Sequence, residues 1–203
     1  MTSRRFPFGL PDGWFPVAYS DELAPGAVVR ARYFGRELVI FRTAGGRAAV
    51  LDAHCPHLGA HLGVGGKVVG ETIQCPFHGW QYGADGACLK IPYAAETPSG
   101  VRARSWPVVE RNGAVLVWHD AEGRPPRFDI PVFPEWQAQD WTASYERYTW
   151  QVRTHPQEVM ENAIDWPHFE RVHAMVAPHE RTEKFAGPLF EWTIGASKLV
   201  RTL

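Results

Sequence analysis

The sequence predicts an α+β chain: an all-β first part, then a second part in which strands accompany one convincing helix. Three observations carry this. Between Gly13 and Trp118, short runs of β-branched and aromatic residues alternate with glycine turns. Pro125, Pro126, Pro131 and Pro134 then make regular strands unfavourable over residues 120–140. Beyond them, Pro156 to Trp166 reads as a helix, with Pro156 suited to its first turn and Pro167 placed to stop it.

Residues 1–13 read as a loose arm. Val28–Tyr33 and Glu37–Arg42 are strands joined by the turn Phe34-Gly35-Arg36. Ala44-Gly45-Gly46-Arg47 is a second turn, and Ala48–Asp52 a third strand. Lys67–Gln74 reads as one strand. Trp80 and Tyr82 alternate, which puts both on one face, and Asp85-Gly86 is a hairpin signal. Val101–Val109 and Ala114–Trp118 are expected to flank the turn Arg111-Asn112-Gly113, and Trp141–Val152 to open a new sheet. The expected organisation is an arm over 1–13, a first domain over 14–122 and a second over 123–203.

Composition narrows the function classes. At 203 residues the chain holds one large domain or two modest ones. It is 45% hydrophobic and 21% charged, ordinary for a soluble globular protein. A net charge of −1 gives no electrostatic case for nucleic acid or an acidic membrane. Three cysteines exclude a disulfide framework, so a reducing, cytoplasmic setting is expected. Ser3-Arg4-Arg5 faintly resembles a twin-arginine signal, but Pro7, Gly9, Pro11, Asp12 and Gly13 break the apolar core that export needs. No run of about 18 apolar residues suggests a transmembrane helix.

The chemistry concentrates in two loops, Cys55-Pro56-His57 and Cys75-Pro76-Phe77-His78, with 17 residues between His57 and Cys75. Each offers one thiolate and one imidazole. Two Cys and two His are the ligand set of a Rieske [2Fe–2S] centre. Cys55 and Cys75 are assigned to one iron, His57 and His78 to the other. Replacing two thiolates by neutral imidazoles removes negative charge from the cluster, so adding an electron costs less and the potential rises. The rival is a structural Cys₂His₂ zinc site. Cys75 to His78 suits it, but Cys55 to His57 leaves one residue between, where roughly two to four are usual. Gly59, Gly63, Gly65 and Gly66 either let backbone N–H groups approach the sulfurs or simply punctuate the loop. Cys88 is expected to be a small core residue.

A second constellation follows the prolines. Glu161, Asn162 and Asp165 lie on the helix, and His168 and His173 come after it. An unbroken helix does not bring residues five apart onto one face, so the break at Pro167 is expected to supply a kink. Two His and a carboxylate suggest the facial triad of non-haem Fe(II) oxygenases.

The run Glu161 to His168, with His173, resembles the E-N-x-x-D-x-x-H-x-x-x-x-H signature of Rieske non-haem iron oxygenases. With Cys55, His57, Cys75 and His78 it covers both metal sites of that family's α subunit. Cys-Pro-Phe-His-Gly-Trp, Ile91-Pro92-Tyr93, Arg104-Ser105-Trp106 and Val117-Trp118-His119-Asp120 are more particularly similar to the 3-ketosteroid 9α-hydroxylase oxygenase and cholesterol 7-desaturase branch. The resemblance implies an all-β Rieske domain followed by an incomplete helix-grip catalytic domain. His168 and His173 would bind a mononuclear Fe(II). Asp165 would bridge a cluster histidine of one subunit and an iron ligand of its neighbour in a homotrimer, and Asn162 would orient a ligand. Electrons would come from NAD(P)H through a separate reductase or ferredoxin. An apolar, steroid-like substrate would be hydroxylated or desaturated with O₂.

One departure is visible. The family takes its third iron ligand from much later in the catalytic domain, whereas the acids after His173 are Glu180, Glu183 and Glu191. The segment after residue 140 is therefore expected to be marginal by itself, or completed by another chain. A Rieske ferredoxin-like electron carrier with a non-functional oxygenase domain stands as the alternative function.

Overall fold

The computed structural model describes residues 5–136, 138–140 and 147–198, without the side chains of 176–180 and 196–198. The chain divides into two compact units, Pro11–Tyr145 and Met1–Leu10 with Glu146–Leu203.

In the first unit, strands β2 (Val28–Tyr33), β3 (Arg36–Arg42) and β4 (Ala48–Asp52) form an antiparallel sheet in the order β2-β3-β4. Strand β3 is buried on both faces. Leu38 and Ile40 enter one core with Val50 of β4 and with Val17, Val115 and Val117. Val39 and Phe41 enter a second core with Ile73, Tyr82, Cys55 and Cys75. This is the period of two in a strand read from both sides.

The first core is closed by β1 (Gly13–Tyr19), β9 (Val108–Arg111) and β10 (Ala114–His119), in the order β1-β10-β9. The second is closed by a four-stranded meander of β5 (Lys67–Val69), β6 (Thr72–Gln74), β7 (Gln81–Gly83) and β8 (Cys88–Lys90). The expected strand over Lys67–Gln74 is thus two strands. Gly70, at φ 58°, turns the chain so that Val69 pairs with Thr72.

The β2–β3 turn places Phe34 at φ 55° and Gly35 at φ 71°. An aromatic residue there is uncommon. Its ring stacks on Trp106 (centroids 5.3 Å apart) and His119 (4.5 Å). The strand expected over Val101–Val109 begins only at Val108. Pro107 has no N–H to give a ladder, and residues before it touch neighbours through single bridges, Ala87 with Arg102 and Leu51 with Ser105.

Packing of this unit continues through the proline-rich stretch. Trp14 Nε1 donates to Phe128 O at 2.7 Å, and Arg111 to Ile130 O at 2.6 Å. Arg42 is nearly buried and fully engaged. Its Nε donates to Leu23 O (2.5 Å), and its two terminal nitrogens pair with Glu110 at 2.9 and 2.8 Å.

In the second unit, helix α1 (Pro156–Ile164) is followed at once by α2 (Trp166–Arg171), then by a hairpin of β11 (Met175–Ala186) and β12 (Leu189–Lys198). The expected single helix to Trp166 is therefore two. Of the strand expected over Trp141–Val152, residues 141–146 lie outside the described residues, and 147–152 are not strand. No side chain of α1 or α2 is buried. Among the described residues, no helix is long and apolar enough to cross a membrane.

Asp120, buried beside Arg124, accepts from the amides of Glu122 (2.9 Å) and Arg124 (3.1 Å) and from Arg124 Nε (3.0 Å). Burial alone would raise its pKa, but these donors hold it at about 2, below the ordinary 3.8. The stability it contributes is therefore full above pH 3.8 and is lost as pH falls through about 2. Asp120→Asn should lower the urea midpoint at pH 7. The gap from the parent protein should close between pH 3.8 and about 2, as checked by urea titrations across that range.

Candidate metal centres

The two Cys-Pro loops close in the same way. Cys55 N–H donates to Ala60 O (2.9 Å), and Gly59 N–H returns to Cys55 O (2.9 Å). Cys75 N–H donates to Trp80 O (2.7 Å), and Gly79 N–H returns to Cys75 O (3.1 Å). Gly59 and Gly79 sit at φ 76° and 73°, where a side chain is disfavoured. Each loop leaves a core strand, β4 or β6, so each thiol starts inside and each imidazole is carried outward.

The four expected ligands are brought together. Cys55 and Cys75 are buried and free of disulfides. The rings of His57 and His78 lie 4.7 Å apart, 66° from coplanar. His57 Nδ1 is buried with no hydrogen-bond partner, an arrangement that is costly unless a metal takes the lone pair. The donor set therefore fits a [2Fe–2S] cluster. Among the described residues, no three His, Cys, Asp or Glu converge on a single ion.

Hydrogen bonds to the sulfurs come from places the sequence did not mark. The amides of Phe77 and His78 point at Cys75, counteracting burial, which pushes that thiol up. Gly59 N–H bonds Cys55 O, and Gly63 N–H bonds His61 Nδ1 at 3.0 Å, so neither serves a sulfur. Tyr82 Oη lies 3.1 Å from Cys55 Sγ. Burial, then Cys55 itself, pushes the Tyr82 phenol well up, so it stays protonated and would be the donor to a metal-bound Cys55 sulfur. Tyr82 was expected only to share a face with Trp80. Its alternation with Trp80 was visible, but its hydroxyl partner was not. Cys88 is buried in the same core, paired across the strands with Tyr82, as a core residue should be.

The second constellation is built around Asp165. His155 caps α1 by accepting from Gln157 N–H at 3.2 Å. Asp165, at φ −77° and ψ 78°, ends α1 and begins α2, so the break lies there; Pro167 falls in the first turn of α2. The break brings the rings of His168 and His173 to 5.2 Å. His168 Nδ1 meets Asp165 O and lies 3.9 Å from Asp165 Oδ2. Asn162 is exposed on α1. Glu161, which the sequence left without a role, pairs with Arg5 at 2.6 Å, as does Glu158. Glu183 pairs with Arg181 at 2.8 Å, and the Glu180 side chain is not described. Two imidazoles thus face one another, and among the described residues no third His, Cys, Asp or Glu converges with them.

Comparison with known proteins agrees with this layout. The Rieske [2Fe-2S] domain model matches residues 13–107, and the 3-ketosteroid 9alpha-hydroxylase C-terminal domain model matches residues 117–199. Cholesterol 7-desaturase of Bombyx mori is 40% identical over 191 residues, 94% of this chain and 41% of that protein. The oxygenase component of 3-ketosteroid-9-alpha-monooxygenase from Mycolicibacterium smegmatis is 38% identical over 170 residues, 81% of this chain and 44% of that protein. The solved structure of Pseudomonas putida CBB5 NdmA superposes with a TM-score of 0.64 at 26% identity, covering 79% of this chain and 49% of that one. The chain spans about two-fifths of the length of the curated relatives it matches.

Tyr82→Phe should leave the cluster assembled and lower its potential. A lost hydrogen bond to a sulfur no longer favours the more negative reduced state. About 1 kcal/mol, for one electron, corresponds to roughly 40 mV. Redox titration followed by EPR checks it; an unchanged potential would mean that the Tyr82 proton is not directed at the cluster.

Proposed function

The chain belongs to the Rieske oxygenases, and on that premise we propose that it is the cluster-bearing part of an oxygenase component acting on a sterol or steroid. One observation carries the reading: two buried thiols beside two facing imidazoles, one with an orphaned Nδ1. When bound, the cluster supplies electrons one at a time and a mononuclear iron supplies the site for O₂.

Cys55 and Cys75 hold one iron of the cluster, His57 and His78 the other. His168 and His173 are the histidine pair for the mononuclear iron, with its carboxylate supplied from outside the described residues. Asp165 accepts from a histidine of this pair and from a cluster histidine of a neighbouring copy, the contact that favours a homotrimer. The motif position of Asp165 supports that role, with its carboxylate at ion-pair distance, 3.9 Å, from His168 Nδ1 and that nitrogen meeting the Asp165 carbonyl. Asn162 orients a ligand through its amide without adding charge. The division into a Rieske domain over 14–122 and a catalytic part over 123–203 is supported by the two family matches. The relatives' names support an apolar steroid-like substrate, and the donor is a reductase or ferredoxin fed by NAD(P)H. Three free cysteines support a reducing, cytoplasmic setting.

The incomplete iron donor set favours a second reading, a Rieske electron carrier. Metal analysis with EPR on anaerobically purified, dithionite-reduced protein separates the two. About three irons per chain, with a nitric-oxide adduct at a ferrous site, are expected for the oxygenase. About two, with a Rieske signal only, would favour the carrier. Zinc in place of iron would sink both.

Asp165→Asn should leave the Rieske signal intact and slow reoxidation of the reduced centre by O₂ with substrate present. Loss of a charged hydrogen bond implies roughly tenfold. Stopped-flow absorbance measures it, and an unchanged rate in protein with the iron site filled would remove Asp165 from the bridging role.

A further inference from the structure

The two histidines at the loop tips are not held alike. His57 lies flat against the Trp80 indole, with centroids 4.3 Å apart and planes 8° from parallel. That indole is anchored in turn: its Nε1–H donates to the Tyr93 hydroxyl at 2.7 Å. The Trp80 carbonyl accepts from Cys75 N–H at 2.7 Å, so the backbone beneath the ring is tied as well. His78 instead tilts by 36° against Phe77, its own neighbour in sequence, at 4.0 Å. Phe77 is 63% exposed.

An imidazole turns about a broad, roughly two-fold torsion, so a side chain that must aim Nδ1 at a metal needs its plane fixed from outside. For His57 no protein hydrogen bond at Nδ1 does this. The flat stack on Trp80 is the contact that selects the plane, and the bond to Tyr93 keeps the indole from rotating away. Tyr93 is itself 65% exposed, while its neighbour Ile91 lies in the core with Cys55 and Cys75.

We propose that Trp80, anchored by Tyr93, is a positioning residue that fixes the plane of His57 at the [2Fe–2S] cluster, whereas His78 meets its ring neighbours Phe77 and His57 only at a tilt or edge-on. This rests on the cluster reading above. It makes the two imidazoles inequivalent for a structural reason, and it gives the Trp80–Tyr93 pair an effect on only one of them.

The test uses the full chain with its cluster, reduced with dithionite, and pulsed EPR to resolve the two histidine nitrogen couplings. In Trp80→Leu one coupling should move and the other should hold. Trp80→Phe, which keeps a ring face, should restore most of the parent value. Tyr93→Phe should shift or broaden the same coupling, and its cluster should lose iron to a chelator up to roughly five-fold faster, the loss of one hydrogen bond. Neither coupling moving, or both moving together, overturns the proposal. If Trp80→Leu does not load, Tyr93→Phe decides alone, because it removes a single hydroxyl at an exposed ring. A parent protein without a Rieske signal would remove the cluster reading itself. A normal signal with unmoved couplings would remove only the role of Trp80.

Discussion

The burial of β3 on both faces is the constraint on which the rest of the first unit depends. A strand with Leu38 and Ile40 on one side and Val39 and Phe41 on the other must be covered twice. The β1-β10-β9 sheet covers one face, and the β5–β8 meander with the two Cys-Pro loops covers the other. The cysteines are thus part of the hydrophobic core.

This arrangement separates the two kinds of ligand by depth. The thiolates lie in the core with Tyr82 and Cys88, in a medium where a donated hydrogen bond has a large effect on charge. The imidazoles lie at the surface end, half-buried, with exposed Leu58 and Phe77 beside them in sequence. Electron density is controlled from inside, through Tyr82 and the Phe77 and His78 amides. Geometry is controlled from the rim, through Trp80. The matching hydrogen-bond closures of the two loops hold these layers in register.

The second unit obeys a different balance. Its helices bury no side chain, and Val159, Met160, Trp166, Phe185 and Phe190 stay exposed to varying degrees. What it does specify is local. A helix break at Asp165 turns two histidines five residues apart toward one another, which α-helical geometry alone would not do. Local backbone chemistry is sufficient to bring that pair together.

The sequence by itself determined the ligand types, the first strands, the turn at Gly35 and the start of the helix at Pro156, because each follows from short-range chemistry. Two Cys and two His in paired loops identify a donor set whatever surrounds them. Alternating apolar residues identify strands, but not that β3 is buried twice, since that needs two other sheets. Lys67–Gln74 was read as continuous through Gly70; the pairing of Val69 with Thr72 shows that this glycine makes the turn. The helix break was expected at Pro167 and occurs at Asp165, because proline is tolerated in a first helical turn. Only the tertiary structure decided which amides face Cys75, that Tyr82 meets Cys55, and that Trp80 lies on His57 under the hold of Tyr93. Those contacts join residues through space, where direction and distance govern the interaction and sequence order does not.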